Sequence, residues 1–204
     1  GEVAVLENIA AEIRKLTRLL VEQGVAAEQL TLYVSVLNDR LCQRVIEVVR
    51  KRYQLEQISW CWLGFGSEGR LEQTFSTDQD NGIIFSAHDG AAPADVRSRL
   101  LPFARAVNEA LDACGFLWCK GDVMASNPAL SLSVEEWRAK MGGWLEQWQP
   151  QALLEATIYF DFRALYGDTT LATSLRQWVL EHTRAHPTFL RPMAENALQA
   201  RPAL

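Results

Sequence analysis

Asp78 and Asp80, two residues apart and shortly after a glycine-rich turn, are the side chains best suited to carry out chemistry. In extended backbone, residues i and i+2 point to the same side of the chain, roughly 6.5 Å apart. Two carboxylates held in this way can share Mg²⁺ ions, which also bind phosphate oxygens and water. The spacing therefore predicts a metal site of the kind used in two-metal phosphoryl or nucleotidyl transfer.

The turn before these aspartates has the composition of a polyphosphate site. An apolar run at 58–65, rich in β-branched and aromatic residues, predicts a buried strand that ends at glycines. The sequence GSEGR follows and supplies the exposed amides of Gly66 and Ser67, the Ser67 hydroxyl and the Arg70 guanidinium. These groups are typical ligands of phosphate oxygens, so we expect Gly66, Ser67 and Arg70 to bind a polyphosphate.

Two other interpretations compete for the same stretch. Residues 64–69 match the G-x-G-x-x-G fingerprint of dinucleotide-binding folds. That fold needs a full helix between its first two strands, and only about ten residues separate Gly69 from the next apolar run at 83–85. The second alternative is a hairpin-like turn with two solvated aspartates, and the nearby Gly-Ser pair and arginine argue against it.

Composition limits the classes of function. The 204 residues are long enough for one large or two small domains with a real core, and 49% hydrophobic with 22% charged residues is typical of globular proteins. A net charge of −5 argues against general nucleic-acid binding. The sequence has no signal peptide and no apolar run near the length of about 18 residues that spans a membrane, so we expect a cytoplasmic protein without membrane contact.

Cysteine spacing points away from zinc and disulfides. The four cysteines are Cys42, Cys61, Cys114 and Cys119, and they form no C-x-x-C pair. We therefore expect buried free thiols.

Hydrophobic periodicity predicts helices around a small sheet. Apolar residues at steps of three and four predict helices through most of residues 1–52, and Pro93 opens a helix that reaches about Ala113. The segment 116–123 is predicted to be a further strand, which gives strand–helix–strand alternation and a mixed sheet.

From Ser133 onward the pattern is helical throughout. Ser133 to Glu136 is a capping box that opens a helix to about residue 149, a second helix is expected from Pro150 through Phe162, and Asp168 caps a third. A last helix is expected from Pro187. The sequence thus predicts an N-terminal helical segment at 1–52, an α/β core at 53–130 and a helical domain at 131–204.

Three tryptophans share one face of the helix after Ser133. Trp137, Trp144 and Trp148 recur at heptad-like spacing. A base-stacking platform is one interpretation, but three indoles are too apolar to leave in water, so we expect them to pack against the α/β core.

Several segments resemble one known family. GSEGRLEQTFSTDQDNGIIF, CKGDVMASNP and IYFDFRALYGD are similar to segments of the bacterial nucleotidyltransferases of the DUF294 family, and the likeness covers about residues 25–191. Gly66-Ser67 followed by Asp78-Gln79-Asp80 resembles the signature of the DNA polymerase β-like superfamily, which includes the nucleotidyltransferase domain of the PII uridylyltransferase. The resemblance implies an α+β fold, with a mixed sheet, flanking helices and a following helical domain. In the family that helical domain is longer, so we expect this chain to be truncated. Members of the family often also carry CBS or cyclic-nucleotide-binding domains.

The resemblance also implies a reaction. It is transfer of a nucleoside monophosphate from an NTP with loss of pyrophosphate, dependent on Mg²⁺ or Mn²⁺ held by Asp78 and Asp80. Gly66 and Ser67 would cradle the β- and γ-phosphates, and Arg70 would neutralise the leaving group. The alternative class is a regulatory module that binds a nucleotide without turnover.

The remaining site residues are a third acid and the acceptor side. Asp122 lies where polymerase β-like enzymes carry a third carboxylate, and its other interpretation is a turn aspartate. Asp161 and Arg163 are either a structural ion pair or, by resemblance, part of the cleft wall. The expected acceptor is a hydroxyl of a protein, by analogy with the uridylyltransferases, or of a small metabolite.

Overall fold

The computed structural model describes residues 1–73, 78–87, 91–146 and 157–185. Its first half contains helices α1 (Glu2–Glu22) and α2 (Ala27–Arg50), strand β1 (Trp60–Gly64), the one-turn helix α3 (Gly66–Gly69), strand β2 (Asn81–Phe85) and helix α4 (Pro93–Ala113). Its second half contains a 3₁₀ turn (Pro128–Leu130), strand β3 (Ser131–Ser133), helix α5 (Val134–Glu146), strand β4 (Arg163–Gly167) and helix α6 (Thr169–Ala185).

The strands form one mixed sheet in the order β3-β2-β1-β4. The central strand β1 is antiparallel to both β2 and β4, whereas β2 is parallel to β3. This arrangement confirms the predicted α+β class with a mixed sheet and flanking helices.

Helices cover both faces of the sheet. Trp60 and Trp62 of β1 point to one face, where they join a core with residues of α1, α2 and α4. Leu63 of β1 and Ile84 of β2 point to the other face, where α5 and α6 pack. Because both faces are covered, every residue of β1 and β2 is buried, which explains the unbroken apolar runs in the sequence.

The capping signals in the sequence are confirmed. The Glu136 amide donates to Ser133 Oγ at 3.2 Å, and the Ser133 amide donates to Glu136 Oε2 at 2.8 Å, which is the reciprocal pattern of a capping box. Pro93 is the first residue of α4. The Thr170 amide donates to Asp168 Oδ1 at 3.0 Å, so Asp168 caps α6 as predicted.

The tryptophans of α5 pack on the sheet, as expected. Trp137 is fully buried and Trp144 is 8% exposed, while Trp148 lies outside the described residues. The Trp137 indole N–H donates to the Ile83 carbonyl at 3.0 Å, which joins α5 directly to β2.

One predicted element in the C-terminal half is wrong. Residues 163–167 were expected to lie in a helical half, but they form β4, which pairs antiparallel with β1 across a bulge between Trp62 and Leu63. The reason is a tertiary contact. The edge of β1 that does not pair with β2 offers backbone donors and acceptors to residues 163–167, and the periodicity of the local sequence does not reveal such a partner. The helix expected from Pro150 through Phe162 can be compared only where the chain is described, and there residues 157–159 are helical.

The third strand of the sheet also lies elsewhere than predicted. In the segment 116–123 only Leu117 forms a bridge, to Asp78, whereas the strand beside β2 is Ser131–Ser133. A three-residue strand with two serines is too short and too polar to give a period-two signal. The expected helix from Pro187 lies outside the described residues, and the division into three regions stays a prediction.

No helix in the part of the chain that the structure describes is long and apolar enough to cross a membrane.

The hydrogen bond from Trp137 gives a test of how α5 is fixed to the sheet. Trp137→Phe leaves the buried Ile83 carbonyl without this donor, whereas the Trp144 indole N–H has no hydrogen bond to the described residues. We expect Trp137→Phe to lower the free energy of unfolding by about 1 kcal/mol more than Trp144→Phe does, because both changes remove a similar apolar area. Urea denaturation of the two variants measures this difference, and equal losses would contradict it.

Candidate functional site

Asp78 and Asp80 lie in extended backbone immediately before β2. Asp78 forms a parallel bridge with Leu117, and the Gln79 amide donates to the Leu117 carbonyl at 2.8 Å. The Asp80 carbonyl accepts from the Phe65 amide, also at 2.8 Å, which ties the segment to the end of β1. The predicted same-side geometry is therefore found, although β2 itself begins one residue later, at Asn81.

The residues that alternate with the aspartates anchor the segment to α4. Gln79 Nε2 donates to the carbonyls of Asn108 and Phe116, both at 3.0 Å. Asn108 Nδ2 donates to Gln79 Oε1 at 2.7 Å and to Asn81 Oδ1 at 3.0 Å. All three amide side chains are buried, so this network fixes which way the backbone turns and points Asp78 and Asp80 to the opposite face.

The aspartates converge with a thiol. Carboxylate oxygens of Asp78 and Asp80 and Sγ of Cys119 all lie within 4.8 Å of one another. Burial raises the pKa of Asp80 and the neighbouring Asp78 charge raises it further, while a hydrogen bond from the Cys119 thiol opposes the shift. The expectation of buried free thiols is confirmed for Cys42, Cys61 and Cys114, whereas Cys119 is half-buried, and its place beside the aspartates was not predicted.

The two carboxylates fit a divalent cation, because closely spaced anionic oxygens are the ligands that Mg²⁺ and Mn²⁺ prefer.

Asp122 is not part of this group. It is exposed, adopts a positive φ of 55°, and its carboxylate accepts a hydrogen bond from Asn127 Nδ2 at 3.0 Å. Within the described residues, no third carboxylate lies as close to Asp78 and Asp80 as the Cys119 thiol does.

The glycine-rich turn lies beside the aspartates. Gly66 has a φ of +52°, and a Cβ built on it would lie 3.7 Å from Asp80 Oδ2. Ser67 is half-buried, and its hydroxyl has no hydrogen-bond partner among the described residues. The dinucleotide-binding interpretation is wrong, because β1 and β2 are antiparallel neighbours and α3 is a single turn, not a crossover helix.

The segment before β4 packs directly on this turn. A Cβ on Gly69 would lie 1.8 Å from the Asp161 carbonyl oxygen, so only glycine fits there. Arg70 forms two exposed ion pairs, from Nε to Glu72 at 2.7 Å and from Nη1 to Asp161 at 2.9 Å. Asp161 thus reaches the rim of the candidate nucleotide site.

Arg163 supports the turn from behind. Its guanidinium forms a two-point pair with Asp39 of α2, at 2.7 and 2.9 Å, and donates to the Glu68 carbonyl at 2.8 Å. Asp161 and Arg163 belong to two separate ion pairs and do not pair with each other. Arg163 therefore positions the turn from a partly buried place between α2 and α3.

Glu68 is a buried carboxyl inside the turn, and no role was predicted for it from the sequence. It is 6% exposed, and its Oε1 lies 3.9 Å from the Cys42 thiol. Burial raises the pKa of Glu68 to about 8, with a further contribution from Asp39. The signal available in the sequence was an acid between Gly66 and Gly69, in the short turn after a fully apolar strand.

Comparison with known families gives one finding that agrees with this geometry. The model of the family described as "Putative nucleotidyltransferase DUF294" matches residues 11–151. A search of curated proteins found no match. The matched range includes α2, the glycine-rich turn, both aspartates and Cys119, and it confirms the resemblance inferred from the sequence.

The close contact at Gly69 gives a stability test with a matched control. We expect Gly69→Ala to destabilise the fold by about 2 kcal/mol or more, because the new methyl group overlaps the backbone of residue 161. Gly143→Ala in α5 meets no atom within 4 Å and should be neutral or stabilising by up to about 1 kcal/mol. Thermal denaturation compares the stability of the two variants. If Gly69→Ala is as stable as Gly143→Ala, the backbone of residue 161 does not lie in contact with Gly69.

Glu68 should make stability depend on pH. Between its ordinary pKa of 4.5 and the raised pKa of about 8, the folded chain keeps a proton that the unfolded chain has lost. The stability from this carboxyl is therefore complete below about pH 4.5 and is lost as the pH rises toward 8. Glu68→Gln mimics the protonated form, so we expect its stability relative to the parent to rise by about 1 kcal/mol or more from roughly pH 5 to roughly pH 8.

Urea denaturation across this pH range measures the effect of Glu68→Gln. Glu72→Gln, at an exposed acid of the same turn, controls for the loss of one negative charge. Parallel pH curves for the parent and Glu68→Gln would show that the Glu68 carboxyl is ionised in the fold.

Proposed function

The chain belongs to the nucleotidyltransferase family DUF294, and on that basis we propose that it transfers a nucleoside monophosphate group from an NTP to a hydroxyl acceptor. The observation that supports this proposal most is the placing of Asp78 and Asp80 on one face, beside a glycine-rich turn that follows a buried strand. A phosphate chain on the turn would lie against the two carboxylates.

Asp78 and Asp80 would hold Mg²⁺ or Mn²⁺. The cation would supply positive charge to the phosphates and polarise the attacking and leaving oxygens. The protein's own contribution is to hold the two carboxylates at a fixed distance, and the buried amide network behind them does this before any ligand binds.

The glycine-rich turn would hold the triphosphate. Gly66 has no side chain to block the approach of a phosphate to Asp80, and Ser67 offers a hydroxyl without a described partner. Arg70 lies at the end of the turn and would exchange one of its exposed carboxylate partners for the leaving pyrophosphate. Charged hydrogen bonds of this kind contribute about 1.5–3 kcal/mol each.

The acceptor would approach from the side of α5 and residue 161. These elements cover the sheet face to which Asp78 and Asp80 point. Every second residue along this segment lies on the same face, and Ile84, an even number of residues after the aspartates, packs against α5. Asp161 lies at the rim of the turn, whereas Arg163 acts behind it as a positioning residue. A protein hydroxyl is the first candidate for the acceptor and a small metabolite the second.

One observation favours a second candidate function, a regulatory module that binds a nucleotide without turnover. Among the described residues, a thiol and not a third carboxylate completes the group at Asp78 and Asp80, and Asp122 lies apart in its own turn. Among the residues that the structure describes, the group thus has no third acid to activate the acceptor hydroxyl. Loss of such an acid would affect substrate binding less than it would affect the chemical step.

Calorimetry tests the proposed site. We expect NTP affinity to rise with Mn²⁺ or Mg²⁺ and to fall at least about tenfold in Asp78→Asn and Asp80→Asn, because each change removes a negative ligand. Asp122→Asn is the matched control and should bind like the parent, since Asp122 is outside the group.

Three outcomes can be told apart. Unchanged affinity in Asp78→Asn and Asp80→Asn would remove the metal-site assignment. Metal-dependent NTP binding with pyrophosphate release in the presence of a hydroxyl acceptor supports the transferase. Metal-dependent binding without pyrophosphate release for any acceptor supports the regulatory module.

A further inference from the structure

Backbone pairing places Cys119 in the candidate metal site. The segment around Leu117 runs parallel to the segment that carries the aspartates, with Asp78 opposite Leu117 and the Gln79 amide bonded to the Leu117 carbonyl. Two residues further along each segment, Asp80 and Cys119 come side by side on the face that Asp78 also occupies. The thiol is thus held at the site by main-chain contacts and not by a flexible loop alone.

The environment of Cys119 differs from that of the other cysteines. Cys42, Cys61 and Cys114 are at most 2% exposed and belong to the two cores, where a thiol acts as a small apolar group. Cys119 is half-buried and lies with Sγ within 4.8 Å of oxygens from both aspartates. Cys119 also packs against the edge of the second core, but unlike the other three thiols it has two carboxylates beside it.

We propose that Cys119 is a ligand of the cation held by Asp78 and Asp80, and that it makes this site favour thiophilic divalent ions such as Co²⁺, Zn²⁺ and Cd²⁺ over Mg²⁺. The inference rests on the proposed function, because it takes the two aspartates as the metal site. On binding, the S–H bond of Cys119 is replaced by a sulfur–metal bond and the proton passes to solvent.

The preference follows from the chemistry of the donors. A site with three carboxylates offers only hard oxygen ligands, which suit Mg²⁺ and Mn²⁺, whereas a thiolate binds Zn²⁺ and its neighbours in the series more strongly. Mg²⁺ gains little from a sulfur ligand and would still bind through Asp78 and Asp80 alone.

Cobalt spectroscopy tests the ligand directly and needs no substrate. We expect Co²⁺ added to the parent chain to give a sulfur-to-cobalt charge-transfer band in the near ultraviolet, and Cys119→Ser to lack it. Cys114→Ala is the matched control, because it removes a thiol that lies in the core, and it should keep the band. A band that persists in Cys119→Ser would overturn the assignment of Cys119.

Calorimetry with each metal alone tests the selectivity. Cys119→Ser should lose at least about tenfold in affinity for Co²⁺ and Cd²⁺ while its affinity for Mn²⁺ changes by less than about threefold. Cys119→Asp places a third carboxylate in the group and should raise Mg²⁺ affinity while it removes the cobalt band. Equal Co²⁺ affinity in the parent and Cys119→Ser would overturn the proposal.

The aspartate variants separate this inference from the proposed function. If Mn²⁺ binds the parent and is lost in Asp80→Asn, but Cys119→Ser binds Co²⁺ like the parent, the metal site stands and the role of Cys119 is wrong. If neither Mn²⁺ nor Co²⁺ binds the parent, both proposals fail together.

Discussion

The geometry of the candidate site depends on a cluster of buried amide side chains behind the two aspartates. Asn108 of α4 is fully buried and binds both Gln79 and Asn81, the two residues that alternate with the aspartates. Asn108 Oδ1 also accepts from the Ser126 amide at 3.0 Å, and Asn81 Oδ1 accepts from the Ala125 amide at 2.8 Å. The bonds made by Asn108 Nδ2 and by Asn81 Oδ1 are buried, and there a lost partner leaves a costly unsatisfied group.

This cluster joins three parts of the chain that are distant in sequence. It fixes the backbone of the aspartate segment against α4, and through residues 125 and 126 it fixes the loop that follows Cys119. The carboxylates and the thiol are thereby held close together, although burial, and to a smaller extent the neighbouring Asp78 charge, raises the pKa of Asp80. A cation bound between the two carboxylates would screen the repulsion between them.

The turn opposite the aspartates is supported in a similar way from the other side. Arg163 of β4 pairs with Asp39 of α2 and holds the Glu68 carbonyl, so the one-turn helix α3 is braced by two elements that flank β1. Gly69 allows residue 161 to approach closely, and Gly66 leaves room beside Asp80. Both sides of the site are therefore positioned by polar contacts at its back, while its reactive groups face outward.

The sequence was sufficient to predict what is local. The strand before GSEGR, the turn, the same-side aspartates, the start of α4 at Pro93 and the capping box at Ser133 each follow from a few neighbouring residues. The family was predicted from the same motifs and is confirmed over residues 11–151.

What the sequence could not show depends on partners far along the chain. Residues 163–167 became a strand because β1 lay beside them, and Cys119 joined the aspartates because Leu117 pairs with Asp78. Glu68 and Asn108 gained their roles from burial, which no pattern of neighbours encodes. The acidic residue that did stand out, Asp122, forms a local turn with Asn127 instead.

The position of β4 also has a consequence for how the chain is made. Strand β1 lies in the middle of the sheet, yet one of its two partners is β4, with Cys61 opposite Gly167, so this pairing closes a loop of roughly a hundred residues. During synthesis β1 and β2 emerge from the ribosome long before β4 does, and the outer edge of an entirely apolar strand stays unpaired in the meantime. The nascent chain therefore passes through a stage in which one edge of β1 is unpaired and could pair with another strand. The sheet is completed only after residue 167 has emerged from the ribosome.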